Sequence, residues 1–234
     1  MNQSEFIFEL EKIGITITSN QLKQLEKYYH LLIEWNKKIN LTRIVEKSDV
    51  YLKHFYDSLT LIKVIDLNKK IKLCDVGTGA GFPGIVLKIV FPNLDITLID
   101  SLNKRVVFLN NVINELGLQD ISAIHTRMED YSRKNREVFD IITSRAVAKT
   151  NILSEISIPA LKVAGHLLLM KSSVDEELAS SKDIMNKLDS KINKIIKFNL
   201  PKEDSLRTII DIVKVSKTHS MYPRSIDRIK KAQQ

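Results

Sequence analysis

Hydrophobic residues in the first third of the chain recur at the spacing of helices. A short helix is predicted over residues 4–13, and a longer helix begins near Ser19 or Asn20, either of which can cap it. A third helix is predicted from Ser48. Apolar residues of the long helix recur every three or four positions, at Leu22, Leu25, Tyr29, Leu32, Trp35 and Ile39. We therefore expect a helical N-terminal cap over residues 1–66.

Beyond this cap the apolar residues form short runs that helix-like stretches separate. The runs lie at residues 71–76, 96–99, 121–124, 138–143 and 166–170. Strands that alternate with helices predict a parallel sheet with helices on both faces, which binds ligands at the carboxyl ends of its strands. Two further strand-like runs, at residues 192–198 and 208–215, follow each other directly and predict a hairpin at the sheet edge. The sequence thus predicts an α/β domain over residues 67–234.

A glycine-rich segment follows the first of these runs and reads C-D-V-G-T-G-A-G-F-P-G over residues 74–84. From Gly79 it matches G-x-G-x-x-G, the dinucleotide fingerprint. From Asp75 an acidic residue precedes G-x-G-x-G, a pattern typical of S-adenosylmethionine-dependent methyltransferases. A carboxylate at that strand end can accept hydrogen bonds near a methionine ammonium, whereas it repels a pyrophosphate. Asp75 therefore favours the methyltransferase reading, and a nicotinamide-dependent oxidoreductase is the alternative.

Three residues that follow the next two strands extend this predicted site. Asp100 ends the second strand, where a carboxylate can accept hydrogen bonds from both ribose hydroxyls of an adenosine. Its alternative role is to cap the following helix. Met128 and Glu129 follow the third strand and are expected to line the adenine edge. An adenosine ligand is therefore expected across the ends of three strands.

Composition and charge describe a folded protein with a basic end. The chain is 44% hydrophobic and 27% charged, and no apolar run approaches the length of a membrane span, so a cytoplasmic protein without membrane contact is expected. Its single cysteine, Cys74, excludes an internal disulfide, and the histidines show no metal-ligand spacing, so no metal is expected. Residues 214–234 hold six basic side chains and one acidic. Such a tail binds a polyanion or merely aids solubility.

Five motifs run through most of the chain. They are W-N-K-K-I-N-L-T (35–42), H-F-Y-D-S-L (54–59), D-V-G-T-G-A-G-F-P-G (75–84), S-R-A-V-A (144–148) and Y-P-R (222–224). In these motifs the chain resembles the bacterial 16S ribosomal RNA guanine-N7 methyltransferase family, the glucose-inhibited division protein B group. The tail after Arg224, S-I-D-R-I-K-K-A-Q-Q, departs from the glycine- and proline-containing ending of that family.

The resemblance implies both a fold and a reaction. The expected fold is the class I S-adenosylmethionine-dependent methyltransferase fold, a Rossmann-like, mostly parallel seven-stranded sheet with helices on both faces and a C-terminal antiparallel hairpin. The expected reaction is methylation of guanine N7 in the 530-loop region of 16S ribosomal RNA, with the RNA or the small ribosomal subunit as partner and a monomer as the default state. A methyltransferase for a small molecule or a protein is the alternative, and a non-catalytic binding protein is a further one.

The resemblance implies cofactor contacts for Gly77, Phe82, Met128, Glu129 and Arg145, and the other expected site residues follow from their own chemistry and position. The expected cofactor-binding residues are Asp75, Gly77, Gly79, Gly81, Phe82, Asp100, Met128, Glu129 and Arg145, and Arg145 also positions the target base. The residues expected to bind RNA or orient the target are Asn40, Arg43, His54, Asp57, Lys149, Lys171, Tyr222 and Arg224. His54 and Asp57 lie three apart on a predicted helix, so the alternative is a structural pair that joins cap to core. No general base is expected, because guanine N7 already carries an in-plane lone pair.

Overall fold

A seven-stranded sheet forms the centre of the computed structural model, which describes residues 1–145, 147–172 and 175–231, without the side chains of residues 175–180 and 230. Its strands are β1 (Lys72–Val76), β2 (Asp95–Asp100), β3 (Ile121–His125), β4 (Phe139–Arg145), β5 (Leu161–Lys171), β6 (Ser190–Asn199) and β7 (Leu206–Lys214). The strand order is β3-β2-β1-β4-β5-β7-β6. The first five strands are parallel, and β7 is antiparallel to both β5 and β6. The predicted parallel sheet and its C-terminal hairpin are therefore confirmed.

Helices cover both faces of this sheet and form the N-terminal segment. They are α1 (Gln3–Lys12), α2 (Ser19–Ile39), α3 (Lys47–Val50), α4 (Asp57–Leu59), α5 (Gly84–Val90), α6 (Asn103–Glu115), α7 (Met128–Lys134), α8 (Thr150–Ser157), α9 (Asp175–Lys187) and α10 (Ile226–Lys231). A π-helix (Tyr51–Tyr56) joins α3 to α4, and 3₁₀ turns follow at Thr60–Lys63 and Ile158–Ala160. The alternation of strands and helices between β1 and β5 is what winds the sheet on both faces.

Capping boxes start the first two helices. At α1 the Asn2 side chain accepts from the Glu5 amide, and Glu5 accepts from the Asn2 amide in return. Thr18 and Gln21 make the same reciprocal pair at α2, so the predicted cap at Ser19 or Asn20 is wrong by one or two residues. Tyr29, which the apolar spacing of α2 includes, is partly buried against the core, and its neighbour Tyr28 is fully buried.

The third predicted helix is not a regular α-helix. It begins as α3, widens into the π-helix and tightens again into α4 and a 3₁₀ turn. Almost every residue between Val50 and Leu61 is buried, so this segment presents no polar face of the kind that a surface helix has. The wide turn carries His54 and leads directly into Asp57, and both side chains are buried. π-turns of this kind are frequent at functional sites.

The N-terminal segment packs directly on the sheet domain. One hydrophobic cluster contains buried residues of α1, α2 and the π-helix together with residues of β1, β2, α5 and α6. Trp35 of α2 packs against Phe108 of α6, with ring centroids 5.7 Å apart. The Gln21 side-chain amide donates to the carbonyls of Ile89 and Val90 at the end of α5. The proposed boundary near residue 66 thus separates two segments that share a core.

Candidate active site

A tight loop after β1 forms the floor of the candidate site. The amides of Gly77 and Thr78 both donate to the Ile99 carbonyl on β2, at 2.8 and 3.2 Å. Asp75 lies beneath the loop, where its Oδ2 accepts from the Thr78 hydroxyl at 2.6 Å and from the Gly84 amide at 2.8 Å. The loop is therefore held at its start by strand β2 and at its end by the Asp75 carboxylate.

Burial makes Asp75 a support for the loop. Its side chain is fully buried, and its Oδ1 has no hydrogen-bond partner among the described residues. Desolvation raises the pKa of Asp75 to about 6, against the hydrogen bonds from Thr78 and Gly84, which lower it. The predicted contact between this carboxylate and a methionine ammonium stays a prediction.

Gly81 lies against the core. A Cβ at Gly81 would lie 2.6 Å from Cδ1 of Ile85 and 2.7 Å from the Tyr28 hydroxyl, so the absence of a side chain lets the loop pack against α5 and the cap. By contrast, Gly77 and Gly79 line the cleft itself. Of the three predicted glycines, two therefore face the cavity and one faces the core.

Asp100 lines the cleft and also binds nearby backbone. Its Oδ1 accepts from the Leu102 amide at 2.9 Å in an Asx turn just before α6. The N-cap of α6 is Leu102, without a side-chain cap, so the alternative role of Asp100 as a helix cap is wrong, and its contact with a ribose stays a prediction. Its Oδ2 accepts from the Gly79 amide at 2.9 Å and lies 3.3 Å from Nη1 of Arg105. Asp100 therefore ties the glycine loop to the end of β2 while it lines the cleft.

The cleft consists of two adjoining cavities across the carboxyl ends of β1, β2 and β3. One, of about 380 Å³, lies over Gly79 and Phe82. The other, of about 240 Å³, runs along Met128 and Glu129. Four residues line both cavities: Gly77, Asp100, Ser101 and Val147. The predicted cofactor residues thus lie along one continuous cleft, except for Asp75 and Gly81.

The residues of this cleft suit S-adenosylmethionine. A Cβ at Gly77 would lie 2.6 Å from a methyl carbon of Val147, so only glycine leaves the cleft open there. Glu129 is buried, and its Oε1 accepts no hydrogen bond from the described residues, although Nη1 of Arg127 lies 3.7 Å away. An adenosine brings amino and hydroxyl donors to such a buried acceptor. Gly77, Asp100, Met128 and Glu129 would hold its adenosine part.

Arg145, at the end of β4, lies where this cleft meets the cap. Its Nη1 donates to the Lys53 carbonyl at 2.9 Å and to Asp57 at 3.2 Å. Its Nη2 lies 2.9 Å from Nδ1 of His54, and its guanidinium lies over the Phe82 ring, 5.2 Å from the centroid. The His54 and Phe82 rings stack with centroids 4.3 Å apart. Residues that are far apart in sequence therefore form one cluster.

His54 is held as a neutral imidazole in this cluster. Burial, and then the charge of Arg145, lower its pKa to about 3. Because arginine only donates, Nδ1 of His54 accepts, and Nε2–H donates to the Thr42 hydroxyl at 2.9 Å. This tautomer fixes the ring between the cap and β4. Both readings of the His54 and Asp57 pair fit this arrangement, since the pair joins cap to core and also borders the cleft.

A further cavity, of about 300 Å³, adjoins the cleft at His54 and Arg145. We call it the basic cavity, because four of its charged or polar lining residues are cationic. These charged or polar residues are Lys53, His54, Asp57, Arg145, Lys171, Ser172 and Arg207. Arg207 was not predicted. Its Nε donates to Oδ1 of Asp57 at 3.2 Å, on the opposite side from Arg145. The only sequence signal for it is the hairpin register, which pairs the next residue, Thr208, with Lys171.

The remaining predicted RNA-binding residues divide into two groups. Asn40, Arg43 and Lys149 are exposed, and Lys171 donates to the Ala148 carbonyl while it lines the basic cavity. One assignment at the C-terminus needs correction, because Tyr222 is buried and its ring is not presented for base stacking. Arg224 is paired with the buried Glu155, and its contact with RNA stays a prediction. Ala146 of the S-R-A-V-A motif and the last three residues of the tail lie outside the described residues.

Taken together, a Rossmann-like sheet whose strand β7 is antiparallel to both of its neighbours, and a cleft that offers carboxylates to an adenosine, define a class I S-adenosylmethionine-dependent methyltransferase. Solved structures support this fold. TYW2 of P. horikoshii, in complex with MeSAdo, matches with a TM-score of 0.54 and 14% identity, over 67% of this chain and 61% of that chain. An SAM-dependent O-methyltransferase from Thermotoga maritima matches with a TM-score of 0.53 and 14% identity, over 80% and 72%. At such identities the likeness extends to the fold alone.

Sequence comparison identifies the family. The chain belongs to the GidB family, described as rRNA small subunit methyltransferase G, whose profile matches residues 21–207. Curated relatives named "Ribosomal RNA small subunit methyltransferase G" are 48% identical in Geobacillus sp. and 46% identical in Bacillus licheniformis. Each match covers 96% of this chain and 95% of the relative. The protein is thus an S-adenosylmethionine-dependent methyltransferase, and the oxidoreductase alternative is wrong.

Among the described residues, no group of three histidine, cysteine, aspartate or glutamate side chains is arranged to hold a metal ion. None of the described helices is both long enough and apolar enough to span a bilayer.

Proposed function

We propose that this protein transfers the methyl group of S-adenosylmethionine to N7 of a guanine in the 16S ribosomal RNA of the small subunit. One observation carries the proposal: the cofactor cleft meets a basic cavity at Arg145. That cavity has cationic side chains from Lys53, Lys171 and Arg207 beside the single carboxylate of Asp57. RNA supplies both phosphates for the cations and a planar base for the cavity. The names of the relatives support this class of substrate.

The groups beside the junction suit a nucleophile that needs no deprotonation. When bound, S-adenosylmethionine supplies an activated methyl group on a sulfonium. His54 is neutral, but both of its ring nitrogens are engaged, by Arg145 and Thr42. Both carboxylate oxygens of Asp57 are engaged, Oδ2 by Arg145 and Oδ1 by Arg207. Guanine N7 presents an in-plane lone pair, so the protein has only to align it with the methyl group and exclude water.

Arg145 is the residue that we propose to align the base. Two of its N–H groups, on Nε and Nη2, donate to no group among the described residues, while the other three are engaged. A guanidinium with two remaining donors matches guanine O6 or an adjoining phosphate. Its contacts with Lys53, His54 and Asp57 fix those donors at the junction of the cavities. Arg145 would therefore orient the acceptor without taking a proton from it.

A methyl-transfer assay with labelled S-adenosylmethionine tests the acceptor. Whole ribosomes, small subunits, naked 16S RNA, free guanosine and a ribosome-free protein extract are offered separately. We expect label in the RNA of one ribosomal preparation and, after borohydride reduction and aniline treatment, chain cleavage at the modified guanine. RNA transcribed with 7-deazaguanine keeps O6 and the base shape but lacks N7, so it should take no label. Equal labelling of the deaza transcript, or label only in guanosine or protein, would refute the proposal.

Arg145→Lys tests the alignment role. Lysine keeps the charge but lacks the planar fork, so we expect turnover on RNA to fall at least about tenfold. Arg105→Lys is the matched control, because Arg105 contacts Asp100 on the cofactor side and lies away from the basic cavity. Unchanged turnover and unchanged cofactor affinity in the Arg145 variant would remove that residue from the mechanism. We also propose that the protein acts in the cytoplasm as a monomer.

A further inference from the structure

The C-terminal segment, residues 218–231, folds back against the sheet domain. Arg136 donates through Nη2 to the Thr218 carbonyl at 2.6 Å and through Nη1 to the Tyr222 carbonyl at 2.7 Å. Arg133 donates to the Pro223 carbonyl at 3.2 Å. Because these arginines bind backbone carbonyls, they fix the path of the backbone in this segment. The segment is therefore a packed part of the molecule up to α10.

A buried ion pair anchors this segment next to the cofactor cleft. Oε1 of Glu155 accepts from the amide and from Nε of Arg224, at 3.0 and 2.8 Å, and its Oε2 accepts from Nη2 at 2.7 Å. Glu155 belongs to α8 and is only 1% exposed. A buried carboxylate that meets a guanidinium with two parallel bonds has one favoured geometry. The start of α10 is thus fixed relative to α8.

This anchor brings an apolar side chain of the tail into the cleft. Ile226, two residues after Arg224, lines the same cavity as Met128 and Glu129. Two residues of α8, Ile152 and Ile156, complete the apolar side of that cavity. The polar residues of α10 that follow, Asp227 and Arg228, are exposed, whereas Ile229 is 2% exposed within the adjacent core. The short helix therefore presents its apolar face to the cleft and to α8.

We propose that Ile226 is a cofactor-binding residue that forms one wall of the adenine site. A purine needs apolar surface on its faces and hydrogen-bonding groups at its edge. Met128, Ile152, Ile156 and Ile226 supply the apolar surface, and Glu129 supplies a buried acceptor. The tail that the sequence suggested as an arm for RNA is thus, in its first half, part of the site for the methyl donor. This inference requires the cofactor alone and does not depend on the RNA acceptor.

Ile226→Asp tests the proposal through binding of S-adenosylhomocysteine and of adenosine, each measured by calorimetry without RNA. Adenosine lacks the amino-acid part, so a residue at the adenine wall must affect both ligands alike. We expect both dissociation constants to rise by roughly tenfold, because a carboxylate replaces an apolar contact. Ile226→Val keeps the apolar surface and should change neither constant by more than about twofold.

Two controls separate a binding role from a structural one. Arg228→Ala changes an exposed residue of the same helix and should leave both constants unchanged. A chain truncated after Arg224 keeps the anchor to Glu155 but lacks α10, and it should bind both ligands about as weakly as Ile226→Asp. Unchanged constants in Ile226→Asp, or a loss for S-adenosylhomocysteine without a loss for adenosine, would overturn the proposal. A lower melting temperature of the free protein with unchanged binding would do so as well, since Ile226 would then be structural only.

Discussion

Single buried polar groups decide how the glycine loop is built, and Asp75 is the clearest of them. The sequence places an acid before the loop, and the pattern predicted a contact with the cofactor. The structure uses this acid to accept hydrogen bonds from Thr78 and Gly84 while its second oxygen has no partner among the described residues. Whether a carboxylate faces a ligand or its own loop depends on backbone angles over the next few residues, which letter patterns do not specify.

Asp75 gives a pH dependence of stability with a definite sign. The pKa of Asp75 is about 6 in the folded protein, against an ordinary value of 3.8, so the unfolded chain loses the proton first as the pH rises. Stability therefore falls between about pH 4 and pH 6, and Asp75→Asn removes that fall. The free energy of unfolding of the variant, relative to wild type, should rise by about 3 kcal/mol from pH 4 to pH 7, as measured by urea denaturation.

Asp140 is a control, because its contribution to stability should change with pH in the opposite direction from that of Asp75. Hydrogen bonds from Lys162 and Lys72 lower the pKa of Asp140, although burial opposes them. Its stabilising contribution is present above its unfolded pKa and is lost as the pH falls. In Asp140→Asn the deficit relative to wild type should therefore grow with pH. If the free energy of unfolding of both variants, relative to wild type, changed in the same direction with pH, the pKa shifts assigned to Asp75 and Asp140 would be contradicted.

Gly84 is required because a side chain would not fit there, and not because the backbone needs an unusual conformation. A Cβ there would lie 2.3 Å from Cδ2 of Leu98 and 2.9 Å from Oδ2 of Asp75. We expect Gly84→Ala to lower the free energy of unfolding by about 2–3 kcal/mol, since strand and carboxylate must both move, and to weaken cofactor binding. In Gly117→Ala the new Cβ meets nothing within 4 Å at a φ of +62°, so only backbone strain of about 1 kcal/mol is expected, with cofactor binding unchanged. Equal losses in the two variants would exclude crowding at Gly84.

At the scale of elements, helix α2 and the π-helix hold the glycine loop from above. Tyr28 of α2 donates to the Ala80 carbonyl, and its ring lies 5.5 Å from that of Phe82. Phe82 in turn stacks on His54 of the π-helix. The helical periodicity of α2 was correctly predicted because its apolar spacing is strong. The contact between Tyr28 and the glycine loop was not predicted. Whether Tyr28 or Tyr29 is the more buried depends on how the cap packs on the sheet, which the sequence pattern does not show.

Tyr28→Phe tests this contact between cap and loop. It removes one hydrogen bond to the loop backbone, so we expect a loss of about 1 kcal/mol in stability and roughly fivefold weaker cofactor binding. Tyr51→Phe is the matched control, because the Tyr51 hydroxyl donates to Glu26 within the cap at 2.9 Å. It should lower stability to a similar extent and leave cofactor binding unchanged. Parallel losses of affinity in both variants would mean that the cap acts only through global stability.

The apolar pattern of the sequence predicts the strands well, but it does not predict the ion pairs between arginines and carboxylates. Each apolar run became a strand, with end shifts of a few residues, because buried parallel strands have a continuous apolar pattern. The third helix was wrong in form, since a π-turn has no distinct residue spacing. Arg207 was missed because its partner, Asp57, lies 150 residues away and meets it only once the hairpin register is known.

At the scale of the whole molecule, the excess positive charge should govern RNA binding. With Arg224 paired to Glu155, the exposed Arg43 and Lys149 and the basic cavity are better candidates for phosphate contacts than the tail. Arg43→Ala and Lys149→Ala should each lower the slope of log affinity against log salt by about 0.7–1, measured with 16S RNA.

A control for this salt dependence lies at the other end of the sheet. Lys162 stands at the start of β5 and pairs with Asp140 at 2.6 Å, whereas the site lies at the carboxyl ends of the strands. Lys162→Ala should leave the slope unchanged. If this variant and Lys149→Ala reduced the slope equally, binding would be spread over the surface and would not be centred on the cleft.

The two arginines on Asp57 have a consequence for synthesis of the chain. Asp57 pairs with Arg145 and Arg207, which follow it by 88 and 150 residues. When the ribosome has synthesised the cap, Asp57 is present but Arg145 and Arg207 are not. Burial of the Asp57 carboxylate without these partners is costly. The cap can reach its final packing only when strand β7 has emerged. Nascent chains arrested before β7 should accordingly remain sensitive to protease within the cap, while full-length chains become resistant.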